Sequence, residues 1–333
     1  MPLLLTRKDV ESVLTMKEAI TAVEEGFRQL ALGHVIMPQR TAIRIPEHHG
    51  LHLGMPAYVG GTEGGGSLAL KVVTVYPDNP SSYGLPTTIG TLLLNDPRTG
   101  ALVAIMDAGF LTAMRTGAVS GVATRYLARE DARSVGVFGA GVQARTQLMA
   151  VCAVRPIEQA VVYDPVQEAR EKYATEMSER LAISIEPTGD PRVCVEAGND
   201  GGVIVTASAS KTPVFEGAWL SPGAHINGIG SHSPDGRELD TETIRRAKVV
   251  PDQVSACLAE AGDLIIPIQE GAITEEHIHA SLGEVVAGLK PGRESAEEIT
   301  LFKSVGLAVQ DAATAARVYE LAREAGVGVK IEV

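Results

Sequence analysis

Aromatic residues, cysteine and positive charge are all scarce in this chain, and each shortage narrows what it can do. Phe, Trp and Tyr make up 4% of the 333 residues, with one Trp, too few for a stacking platform on single-stranded nucleic acid. Lys and Arg number 29 against 41 Asp and Glu, and the formal net charge of −12 opposes binding to a phosphate backbone. A few cations gathered in one cleft would still suit a small anionic substrate. Cys152, Cys194 and Cys257 are far apart, odd in number and without CxxC spacing. Disulfides and a zinc site are therefore not expected, and a reducing, cytoplasmic compartment is. No apolar run is long enough to span a bilayer. The leucines at 3–5 come without an h-region or a small-residue cleavage site, so no signal peptide is read. Internal repeats and low-complexity tails are missing too.

What is present is an ordinary globular composition, 45% apolar, in a chain long enough for two domains. Ile20, Val23, Phe27 and Leu30 fall at three- and four-residue steps, the pattern of an amphipathic helix over 15–32 with Thr15 as its N-cap. Strands follow at 41–45, 51–55 and 68–75, with a glycine-rich loop at 60–66. A further pair, 88–94 and 101–106, is joined by Asn95-Asp96-Pro97-Arg98-Thr99-Gly100, a hairpin turn. This first block reads as α+β. An Ala-rich helix then covers 111–127. From residue 134 onward strands (134–138, 160–163, 203–206, 225–228, 248–250) alternate with helices (142–154, 165–180). That alternation predicts an α/β fold with a Rossmann-type, doubly wound parallel sheet. A last helix is expected over 301–325, packing back on the first block.

The strongest local signal is Gly139-Ala140-Gly141-Val142-Gln143-Ala144, which follows a short apolar strand and opens a helix. Small residues here permit a tight turn, close approach of the backbone to a pyrophosphate, and close helix–strand packing. The helix start adds free N–H donors, at Val142 and Gln143 among others, and the positive end of its dipole. Asp164 ends the next strand, where a carboxylate accepts hydrogen bonds from the adenosine ribose. The plainer alternative is a glycine turn with Asp164 capping the next helix. An acid at this position repels a 2′-phosphate, and no arginine follows it directly, so NAD is favoured with NADP possible.

Arg40, Lys71 and Arg115 are candidates for a cationic site. Arginine binds a carboxylate through paired hydrogen bonds. A lysine on a strand between Leu70 and Val72 loses solvation, which disfavours its charge and brings its proton exchange toward neutral pH. Spacing alone favours duller roles: ion pairs for the arginines, and an edge-strand lysine reaching for water.

Five segments change that balance. They are 71–80, 111–118, 139–144, 225–230 and 302–311, and together, in this order, they resemble the ornithine cyclodeaminase/mu-crystallin family over nearly the whole chain. The resemblance implies a Rossmann dinucleotide-binding domain (121–304) and a substrate-binding, dimerising domain (1–120 with 305–333). It places Arg40, Lys71 and Arg115 at the substrate carboxylate and active site. It sets Thr87, Arg115, Thr206, Asn227 and Ser304 at the cofactor, beside Gly139, Ala140, Gly141, Val142, Gln143 and Asp164.

The chain also departs from the family. Ornithine cyclodeaminases carry an aspartate shortly after the Ile-Asn-x-x-Gly stretch and a glutamate just before Met-Pro. Here His232 and the segment Leu53-Gly54-Met55-Pro56 stand at those places, removing the anionic grip on a second amine. His232 is read either as an acid–base group or as a loop histidine. His48, His49, His52, His277 and His279 show no metal-ligand spacing, the last two lying two apart in an expected helix, and no metal is expected. The resulting expectation is an NAD(P)H-dependent imine reductase or amino-acid dehydrogenase acting on a small anionic substrate, as a homodimer. A cyclodeaminase and a non-catalytic cofactor-binding protein are the alternatives.

Overall fold

The computed structural model describes residues 1–62 and 65–332, so Glu63 and Gly64 of the glycine-rich loop lie outside the described residues. The chain divides into two compact units: Met1–Arg115 with Leu307–Val333, and Thr116–Gly306. The first division falls inside one continuous helix, Ala108–Leu127.

The first unit is built on an eight-stranded sheet. Its order is Val329–Lys330, Leu3–Leu5, Leu102–Asp107, Thr88–Asn95, Ser67–Val75, Gly50–Val59 and Val35–Ile36, with Thr41–Ile45 also pairing to Gly50–Val59. All pairs are antiparallel except Leu3–Leu5 with Leu102–Asp107. Strand side chains alternate between faces. Met55, Lys71 and Leu92 share one row of the buried face, and Ala57, Ala69 and Leu94 share the next. The helices Met16–Ala31 and Ala308–Ala325 belong to this unit; the second packs on the central strands, and the two pack on each other. The first of them starts where its sequence dictates: the Thr15 hydroxyl accepts from the Glu18 N–H at 3.2 Å, and Ile20, Val23 and Phe27 are buried one above another.

The second unit is a seven-stranded, wholly parallel sheet in the order Ser184–Thr188, Gln159–Tyr163, Ser134–Phe138, Val203–Thr206, His225–Gly228, Thr300–Lys303, Lys248–Pro251. The central strands are buried on both faces and read as continuous apolar runs, as Val203-Ile204-Val205 shows. Chain order reverses between Ser134–Phe138 and Val203–Thr206, the switch point at which such sheets open a crevice.

Three expectations need correction. The segment 301–325 is not one helix: Thr300–Lys303 is a strand and the helix is Ala308–Ala325. The apolar Thr300-Leu301-Phe302 run sits between two parallel strands, and tertiary pairing overrides local propensity. The helix after Asp164 begins at Gln167, because Pro165 and the turn on the Asp164 side chain delay it. His277 and His279 are not on a helix: His277 ends a single 3-10 turn, Glu275–His277, and His279 lies beyond it. Each ring bonds a carbonyl oxygen, of Ile244 at 2.8 Å and Pro291 at 2.9 Å.

Candidate functional site

In the first unit, Lys71 is not an edge-strand lysine. Its strand, Ser67–Val75, is paired on both sides, and its side chain points to the helix-covered face with 1% exposure. The ammonium meets Asp311, in the first turn of Ala308–Ala325, at 2.8 Å from Oδ1 and 2.7 Å from Oδ2. The same carboxylate accepts from Arg115 Nε at 2.9 Å, and Gln310 Oε1 accepts from Arg115 Nη1 at 2.5 Å. Burial, first, and then the Arg115 charge pull the Lys71 ammonium down from its ordinary value to about 8, with Asp311 opposing and Arg40 adding a smaller push downward. Arg40 lies half-buried, just before the strand Thr41–Ile45. Two of the expected cations, Lys71 and Arg115, thus share the carboxylate of Asp311, and the charge of Arg40 acts on Lys71. Thr87 sits in an exposed loop of the same unit, its carbonyl accepting from the Tyr76 N–H at 2.8 Å.

In the second unit the glycine turn follows Ser134–Phe138 at the switch point. Gly139 has φ +102°, and a Cβ there would lie 2.6 Å from the Ala207 carbonyl oxygen, so no other residue fits without displacing backbone. Gly141 occupies the N-cap of the helix Val142–Val154 and offers no side chain to cap it. The first-turn N–H groups therefore point outward at the positive end of the helix, beside an open space above Gly141 and the exposed Val142. Asp164 is joined to this turn: its Oδ2 accepts from the Ala140 N–H at 3.0 Å, while Oδ1 accepts from the Val166 N–H at 2.9 Å. Gln143 lies in the first turn, with Oε1 3.4 Å from the Thr146 hydroxyl.

Thr206, Asn227 and Ser304 collect at the same carboxyl edge of the parallel sheet, because Phe138 pairs with Thr206 and Gly228 with both Thr206 and Lys303. The Thr206 hydroxyl and the Asn227 Oδ1 are buried with no partner, whereas Asn227 Nδ2 donates to the Thr124 hydroxyl at 3.0 Å. Ser304 donates to Asp252 Oδ2 at 2.8 Å. His232 stands apart from these: it is exposed in the loop after His225–Gly228, with Nδ1 3.0 Å from the Gly230 carbonyl oxygen.

Sequence reasoning assigned no role to the acids of these clusters. Asp311 stands among Ala308, Val309 and Ala312, and only the need of two buried cations for a counter-charge pointed to it. In the second unit Asp252 accepts from the Val305 and Gly306 N–H groups as well as Ser304. Lys303 pairs with Asp263 at 2.7 Å, both fully buried. Burial pulls Lys303 down, but Asp263 prevails and holds it above its ordinary value. Glu238 accepts from the Ser208 N–H and hydroxyl and from the Gly230 N–H, so these acids tie together the loops that leave the sheet edge.

The family model for the ornithine cyclodeaminase/mu-crystallin family matches residues 1–326. An alanine dehydrogenase of Archaeoglobus fulgidus is 40% identical over 331 residues, spanning 99% of this chain and 98% of that protein. Among solved structures, a Thermococcus litoralis Δ1-pyrroline-2-carboxylate reductase in complex with NADH and L-proline is 50% identical. It superposes with a TM-score of 0.92 over 99% of this chain and 100% of that one. An archaeal alanine dehydrogenase dimer with bound NAD gives 40% identity and a TM-score of 0.91, with 99% of each chain covered. With a family match over residues 1–326 and its parallel sheet opened by the glycine turn, this chain belongs to the ornithine cyclodeaminase/mu-crystallin family.

Proposed function

We propose that this chain is an NAD(P)H-dependent oxidoreductase, with NAD the favoured cofactor, that reduces the C=N bond of a small imino acid or runs the reverse reaction on an amino acid. The observation that carries the reading is the buried group of Lys71 and Arg115 on the single carboxylate of Asp311. Two cations on one acid leave a positive charge in a dry place, and a substrate carboxylate would meet it. The relatives support the chemistry, since the similar proteins named above are a reductase of a cyclic imino acid and dehydrogenases of an amino acid.

The second unit fits a dinucleotide. Gly139, Ala140, Gly141, Val142 and Gln143 would hold its pyrophosphate, on a turn that a Cβ at Gly139 would block. Asp164 would take the ribose, and the unpartnered polar atoms of Thr206 and Asn227 would be met at the same edge, near Ser304. Thr87 and Arg115 are assigned to the cofactor by the family resemblance alone. When bound, the nicotinamide supplies or accepts the hydride. Arg40 and Arg115 grip the carboxylate, and Lys71 holds a proton for the substrate nitrogen, all fixed in place before reaction. Exposed and bonded to its own loop, His232 is assigned no step.

The division of labour follows: residues 121–304 for the dinucleotide, and 1–120 with 305–333 for substrate and dimerisation. A homodimer is favoured by the second face of the eight-stranded sheet. There Leu4, Ile105, Leu93, Leu70 and Pro56 form one half-covered to exposed apolar row, and Ile89 is 43% exposed. A cytoplasmic location fits the three free cysteines.

The test is an NADH-oxidation screen with pyruvate, oxaloacetate and glyoxylate plus ammonia or methylamine, and with cyclic ketimines. NADH consumed in step with one of these substrates is the expected result. An inert panel with tight NADH binding would leave a non-catalytic binder, and ammonia from ornithine or lysine without net NADH change a cyclodeaminase.

A further inference from the structure

We infer that Asp311 is a positioning residue that couples Lys71 to Arg115, and that Gln310 fixes the turn of the Arg115 guanidinium toward a bound carboxylate. The inference rests on the functional reading above and extends it to two residues with no assigned role. Lys71 comes from a strand, Arg115 from the helix Ala108–Leu127, and Asp311 from a third element, Ala308–Ala325. One oxygen, Asp311 Oδ1, accepts from both Lys71 Nζ and Arg115 Nε, so the two cations cannot move independently. Gln310 Oε1 holds Arg115 Nη1. Nε and one Nη1 hydrogen are thereby committed, and the other Nη1 hydrogen and the two on Nη2 are the ones left for a ligand. The amide of Gln310 is itself buried, and its Nε2 donor is without a partner. A buried donor left unmet is costly, which suits a group that awaits an acceptor.

The electrostatic consequence has a definite sign. Asp311 raises the Lys71 proton affinity against burial and Arg115, which keeps the ammonium form available near neutral pH. Removing the charge in Asp311→Asn is expected to shift Lys71 titration downward by about one pH unit or more, a tenfold loss of the protonated form above it.

Two readouts test this, and the first needs no turnover. In protein labelled with ε-13C lysine, the Lys71 titration midpoint, assigned with Lys71→Arg, should fall in Asp311→Asn. A midpoint that stays where it is in the unaltered protein overturns the coupling. In turnover, the alkaline limb of the reductive kcat should move to lower pH by the same interval, with activity regained in acid. Activity lost evenly across pH, with NADH binding retained, overturns the inference in favour of a merely structural acid. Gln310→Met should raise KM for the carboxylate substrate about tenfold with the kcat limb unmoved, one lost charge-assisted hydrogen bond. An unchanged KM overturns the role of Gln310. If Asp311→Asn does not fold, Asp311→Glu carries the test: it keeps the charge, so the midpoint should stay while KM rises, and a fallen midpoint overturns the proposal. A shifted midpoint in a protein inert on every substrate would sink the functional reading and leave the coupling standing.

Discussion

At the scale of the residue, the proposed chemistry rests on the buried Lys71. Lys71 is protonated below about pH 8 and neutral above it. Reduction of an imine needs the ammonium, so its kcat should hold in mild acid and fall as pH rises through about 8. Oxidation of the amine needs the free base, and its kcat should rise through the same point. Matching stopped-flow profiles in both directions check the assignment, and parallel profiles would count against it. Lys71→Ala should abolish turnover while NADH fluorescence titration shows unchanged binding. Gly139 is the corresponding residue in the proposed dinucleotide turn. In Gly139→Val a side chain would be forced onto the Ala207 carbonyl at a φ of +102°. NADH binding should weaken by at least about a hundredfold, close to 3 kcal/mol. Binding within threefold of the unaltered protein would show that the cofactor does not use this turn.

Among the elements, buried charge decides how loops are held. The strand Thr300–Lys303 ends in Lys303, paired to Asp263, whose other oxygen accepts from the Glu238 and Leu239 N–H groups at 2.8 and 2.9 Å. Asp263→Ala would strand a buried ammonium and release two backbone donors. It should destabilise the protein by about 3–5 kcal/mol, read as a lowered urea midpoint. A loss below about 1 kcal/mol would mean that water replaces the carboxylate without cost. Helix packing sets the other constraint. A Cβ on Gly117 would lie 2.5 Å from the Thr146 carbonyl oxygen, so glycine lets the helix carrying Arg115 lie against the helix that the glycine turn opens.

For the whole molecule, the proposed dimer rests on the half-covered to exposed apolar row of the eight-stranded sheet. Leu70 and Leu93 sit side by side at its centre. Leu93→Asp places a charge where a second copy would otherwise exclude water, and it should convert a dimer to a monomer in sedimentation equilibrium. A dimer that persists in this variant would place the interface elsewhere.

What the sequence determined by itself is whatever rests on local pattern. The strand–turn–helix around Gly139, the cap at Thr15, the hairpin at 95–100 and the alternation after 134 follow from neighbouring residues and were legible there. The site roles proposed for Arg40, Lys71 and Arg115 came only from the resemblance to a family, since spacing gave each of them a duller role. Tertiary structure alone decided that Thr300–Lys303 is a strand, that Lys71 faces a helix instead of water, and that Asp311, 240 positions along the chain, is its partner. The reason is physical. A buried ion pair is selected by what closes around it, and neither charge leaves a periodic trace in its own segment.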